Sequence, residues 1–142
     1  MIYVDPRIAA GMSDEVLKAV DEAKTVVAAV YVVPTAGKVG NSVAMADTTG
    51  VLLQQLLNHG AEKTAVIAMG NPYLAADFPK IENYMCTFSN ATVSEVAAVK
   101  ALFGEIAIHG HLPVSIPNVA QRGTGIERPA QVASGGSEHA QK

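Results

Sequence analysis

The sequence predicts an α/β fold, a three-layer sandwich with a mostly parallel sheet flanked by helices, and three observations carry that expectation. Hydrophobic residues make up 49% of the 142 positions and charged residues only 16%, so there is ample material for one packed core. Aromatic content is 5% with no Trp, leaving Ala, Val, Leu and Ile to fill strands covered closely by helices. Val-rich runs alternate with amphipathic stretches across short connections, the crossovers that parallel strands require.

The elements follow in order. Ile2-Tyr3-Val4 is a short β-prone run closed by Asp5-Pro6. Ser13 is placed to cap a helix with Asp14 and Glu15 in its first turn and Val16, Leu17, Val20 and Ala23 at helical spacing. Residues 25–33 are almost wholly apolar and stop at Pro34, which predicts a central strand buried on both faces. A long loop over 35–47 leads to Thr48 or Thr49 as the cap of a second helix. Its apolar stripe is Leu52, Leu53, Leu56 and Leu57, and Asn58-His59-Gly60 is its expected glycine C-cap. Thr64 to Met69 reads as a buried strand turned by Gly70-Asn71-Pro72, and Tyr84 to Phe88 as another. Thr92 and Glu95 have capping-box spacing ahead of a third helix that would bury Val96, Val99, Leu102 and Phe103. Val114-Ser115-Ile116 lies between prolines, which confines it to an edge or irregular strand. One domain over 1–126 is expected, with 127–142 as a flexible polar tail.

Charge and composition exclude several function classes. A net charge of −3 gives no basic footprint for nucleic acid. No apolar run approaches the ~20 residues of a membrane helix, so no membrane partner is expected, and the opening Met-Ile-Tyr-Val-Asp lacks a basic region followed by a long apolar one, so no signal peptide is expected in this chain. Cys86 is the single cysteine and cannot form an internal disulfide, which leaves a cytoplasmic or an exported address equally open.

In open parallel sheets ligands meet the loops after the carboxyl ends of the strands. That rule selects 34–47, 70–77 and Ser89-Asn90, which together offer Lys38, Asn41, Ser42, Asp47, Asn71, Tyr73, Asp77 and Asn90. Asp47 and Asp77 are the acids there, but a helix start and a proline-containing turn account for them without a catalytic pair. His109 and His111 have no further Cys or His ligands beside them, so no metal is assigned. The glycines at 37 and 40, and Gly123-Thr124-Gly125, lack the spacing of a nucleotide loop, no Gly-x-Ser-x-Gly elbow occurs, and no cofactor is expected.

Three stretches carry a resemblance. They are the strand and loop from Val26 to Gly37, the turn Met69-Gly70-Asn71-Pro72-Tyr73-Leu74, and Ala101-Leu102-Phe103-Gly104-Glu105 followed by Gly110-His111-Leu112-Pro113-Val114-Ser115-Ile116-Pro117. Together they resemble the C-terminal domain of family 3 glycoside hydrolases, in particular the β-N-acetylglucosaminidase-like branch, across most of residues 1–126. The resemblance implies an α/β domain that packs against the N-terminal barrel domain of the same enzyme and lines the cleft for a carbohydrate substrate. It implies Lys38, Asn41, Asn71 and Tyr73 as substrate-contacting residues. In the family the nucleophilic Asp belongs to the barrel, and no stretch of this chain matches it. Where glucosidase-like relatives carry an acid/base carboxylate near this turn, Asn71 is a neutral amide that cannot shuttle a proton. No catalytic residue is therefore assigned, and the isolated chain is expected to be inactive. The family domain ordinarily opens with one more strand, so a sheet edge is expected to stand unpaired and to favour a homo-oligomer. The alternative reading is a stand-alone carbohydrate-binding or protein-interaction module with the same fold.

Overall fold

A computed structural model describes residues 1–31 and 47–131, with the side chain of Asp47 outside that description. In chain order the elements are a 3-10 turn (Ala9–Met12), α1 (Ser13–Glu22), β1 (Val26–Tyr31), α2 (Asp47–Gly60), β2 (Thr64–Met69), α3 (Leu74–Asp77), β3 (Asn83–Cys86) and α4 (Thr92–Leu102). The strands form one parallel sheet in the order β1-β2-β3, with Val26 opposite Thr64 and Ala65 opposite Asn83. The α/β expectation holds: the sheet is open and flanked by helices.

Side-chain alternation divides the core into two layers. Val66 and Ala68 of β2 point to α1 and α2, where they meet Val16, Val20, Leu52, Leu53, Leu56 and Leu57. Ile67 and Met69 point the other way, to Ala98 of α4, with Met85 and Leu102 beside them. The four leucines of α2 recur at spacings of one, three and four, so one stripe of that helix is buried, as the sequence predicts.

Several local expectations are corrected. Residues 1–5 form no strand, and Asp5 to Ile8 is a turn in which the Asp5 carboxylate accepts the Arg7 backbone N–H at 2.9 Å. Among the described strands β2 is the central one. Strand β1 lies at an edge with its residues alternately half-buried and exposed. Ser13 is the first residue of α1 and its hydroxyl donates back to the Ala9 carbonyl, so it does not cap. Thr48 and Thr49 lie inside α2, where the Thr48 hydroxyl donates to the Pro6 carbonyl. Gly60 is the last residue of α2 without a positive φ, and its carbonyl accepts the Thr64 hydroxyl at 2.6 Å. Thr92 is already helical and makes no cap bond, so the capping box does not form. Val96, Val99 and Phe103 are exposed, and α4 buries Ala98 instead. Val114-Ser115-Ile116 is irregular apart from a single bridge between Ile116 and Ala120, with Ile116 buried. Gly104 does end α4, at φ 74°, with its N–H on the Ala101 carbonyl and that of Glu105 on Lys100.

Beyond α4 the chain pairs with itself. Leu112 and Gly123-Thr124 exchange backbone bonds, as do Ile108 and Arg128, and the Gln131 N–H reaches the Gly104 carbonyl at 2.7 Å. Close approach at the first pairing requires Gly125, where an added Cβ would lie 2.5 Å from the Gly110 carbonyl oxygen. The backbone bonds of Arg128 and Gln131 fall within residues 127–142.

Candidate functional site

Of the three carboxyl-end loops, two fall among the described residues. Lys38, Asn41 and Ser42 lie outside them, as does the side chain of Asp47. Asn71 and Tyr73 are brought together in the turn after β2, and both are half-buried. Gly70 takes φ 105°, a conformation that glycine adopts without strain, and this reverses the chain at the strand end. The Asn71 side-chain oxygen then accepts the Tyr73 backbone N–H at 2.9 Å, an Asx-turn that starts α3. That bond occupies one acceptor position of the amide.

Tyr84 clamps the same turn from β3. Its hydroxyl donates to the Pro72 carbonyl at 2.8 Å. Burial, with a smaller contribution from neighbouring Cys86, pushes its phenol well above the usual tyrosine value. Burial likewise raises the Cys86 thiol, so this cysteine is a protonated core group with little nucleophilic character. Asp77 is exposed as the last residue of α3.

After β3 the chain turns through Thr87 to Ala91, with Ser89 accepting the Ala91 N–H and Phe88 at φ 56°. A bulky aromatic in the left-handed region is uncommon. The sequence offers no signal for it, because the turn residues Ser89 and Asn90 draw attention to themselves.

A hollow of about 790 Å³ among the described residues lies elsewhere. It runs from the amino ends of the strands, at Thr25, Thr64 and Asn83, along β3 to Phe88, and the paired segments around Ile108, Leu112 and Ile126 form its other wall. Asn71 and Tyr73 do not line it. Lys24, Glu62, Glu82 and Arg128 stand at this hollow with both signs of charge. One of its lysines is committed to structure: the Lys63 ammonium donates to the Val20 carbonyl at 2.6 Å and to Ala23 at 3.1 Å, capping α1. A smaller hollow of about 250 Å³ lies between Cys86, α4 and Ile106 to Gly110.

His109 and His111 approach Glu127 at 3.9 and 3.6 Å on the surface, and no group of His, Cys, Asp or Glu suited to a metal occurs among the described residues. No described helix is long and apolar enough to cross a membrane. Comparison with protein-family models, with curated proteins and with solved structures finds no match to this chain.

Proposed function

We propose that this chain is the second, non-catalytic domain of a family 3 glycoside hydrolase, of the β-N-acetylhexosaminidase-like kind, which supports hydrolysis of O-glycosidic bonds by packing on a catalytic barrel and edging its sugar cleft. The observation that carries the reading is α4. Val93, Val96, Val99 and Phe103 are exposed on a helix whose apolar residues run all round it, and such helices are normally covered on every side. A neighbouring domain accounts for that composition.

The turn after β2 supports the same reading from the chemical side. Asn71 and Tyr73 present an amide and a phenol at the carboxyl edge, groups suited to sugar hydroxyls. The Asn71 amide cannot donate and recover a proton as a carboxylic acid can. Lys38 and Asn41 complete the proposed contact set from the preceding loop. The bond-breaking carboxylate and the proton donor would both come from the barrel.

The test is reconstitution. The coding frame upstream of Met1 should encode a barrel domain, and that domain co-expressed with this chain should co-purify as one complex. Substituting Val96 and Phe103 by Glu should abolish the complex while leaving this chain folded by circular dichroism. An upstream frame without a barrel, or a complex indifferent to both substitutions, would replace this reading with a stand-alone binding or interaction module.

A further inference from the structure

Strand β1 is an edge strand among the described residues. The Val26 N–H donates to the Lys63 carbonyl at 2.8 Å, and parallel ladders alternate, so Val26, Ala28 and Val30 direct their backbone groups to β2. Val27, Ala29 and Tyr31 direct theirs outward. No backbone bond to these three from any other described residue is present, and residues 1–5, which have no strand structure, do not take that place. The strand reads Val-Val-Ala-Ala-Val-Tyr, without the charge, proline or bulge that normally blunts an exposed edge.

We propose that this edge binds a second copy of the chain, β1 against β1 in antiparallel sense, on a two-fold axis through Ala29. A closed dimer made from one edge must be antiparallel, because a parallel pairing of the same strand leaves an edge open on each side. Only one register makes every outward group reciprocal. Ala29 exchanges both bonds with its copy, while Val27 exchanges both with Tyr31 of the other strand, and the reverse. The side chains agree with that register. Val27 and Tyr31 are 47% and 55% exposed on the same face of β1, and the axis sets each Val27 beside a Tyr31, a β-branched and aromatic pair of the kind that stabilises neighbouring strands. Tyr31 is already steadied for the contact, since its hydroxyl donates to Glu95 of α4 at 3.0 Å. One strand pair covers less than the ~1,200 Å² typical of tight interfaces, so the dimer is concentration-dependent. This inference stands independently of the glycosidase reading.

Three variants of the 142-residue chain test it. Analytical ultracentrifugation should show a weight-average mass rising with concentration from 14.7 kDa toward twice that value. Ala29→Pro removes an N–H that β2 does not use and should hold the mass at the monomer value. Because proline can also disturb the strand, Ala29→Cys in a Cys86→Ala background is the second arm. Its two thiols meet across the axis at a Cα separation of ~5.5 Å, within disulfide range, and should yield a covalent dimer under mild oxidation. Val93→Cys on α4 in the same background is the control, expected to cross-link at least 10-fold more slowly. A chain that stays monomeric at high concentration, or one that cross-links through Val93 as fast as through Ala29, overturns the proposal.

Discussion

Lys63 shows how much one side chain decides in this fold. Helix α1 has no basic residue in its last turn, and the Lys63 ammonium supplies the missing positive charge by donating to carbonyls at its end. The stem reaches that position by crossing Gly60, where an added Cβ would lie 2.5 Å from Lys63 Cε and 3.0 Å from Cγ. Lys63→Met should therefore cost about 1–2 kcal/mol of stability in urea unfolding. Gly60→Ala should stabilise by about 0.5–1 kcal/mol only when the Lys63 stem is removed as well, as in Lys63→Ala, so a double-mutant cycle of those two changes should be non-additive. Sequence periodicity sees neither residue in this role, because the partners are about 40 positions apart.

Tyr84 gives a pH dependence with a definite sign. Its folded-state pKa is raised by burial above the unfolded value near 10, so the neutral phenol is the form the fold prefers. The stability it contributes is complete below pH ~10 and is lost as pH rises above that value. Tyr31, raised first by its bond to Glu95, and Cys86, raised by burial, add in the same direction. The urea midpoint should fall between pH 9 and pH 11, and Tyr84→Phe should flatten that fall. At pH 7 the same substitution should cost about 1 kcal/mol for the lost bond to Pro72.

At the scale of elements, those with a strong period were legible and their caps were not. The leucines of α2 repeat at helical spacing and all four are buried, and β2 occupies the residues expected of it. Helix α4 was legible as a helix but its inward face was not. With Val93, Val96, Ala97, Val99 and Ala101 distributed all round, no stripe marks the core, and the small Ala98 fits against Ile67 and Met69 where a valine would hold the helix off. Val93→Glu and Val99→Glu should change stability by less than about 0.5 kcal/mol, whereas Ala98→Glu should cost at least about 3 kcal/mol by burying an unpaired charge. Thermal unfolding of the three variants side by side separates the faces. Two of the failed capping readings have a visible cause. Ser13, Thr48 and Thr92 each sit one or more positions inside their helix, and the hydroxyls of Ser13 and Thr48 bond to carbonyls of other segments, contacts that local spacing does not encode.

For the whole molecule, composition and alternation were sufficient to place the described elements in an open parallel sheet with helices on both sides. Position within the sheet was not legible. An apolar β1 reads as central, yet among the described strands it stands at the rim with one face exposed. The candidate site was legible in part. The turn rule brought Asn71 and Tyr73 to one place, while the hollow of about 790 Å³ depends on pairings between 108–112 and 123–128 that carry no periodic signal. The exposed apolar residues of α4 are what the proposed division rests on, a domain that works against a neighbour and leaves the chemistry to it. That division is tested most directly by assaying the purified chain on an aryl N-acetylglucosaminide, alone and with the barrel domain added. No chromophore should be released alone, and turnover should begin on addition. Release by the chain alone, abolished by Asp47→Asn or Asp77→Asn, would contradict it.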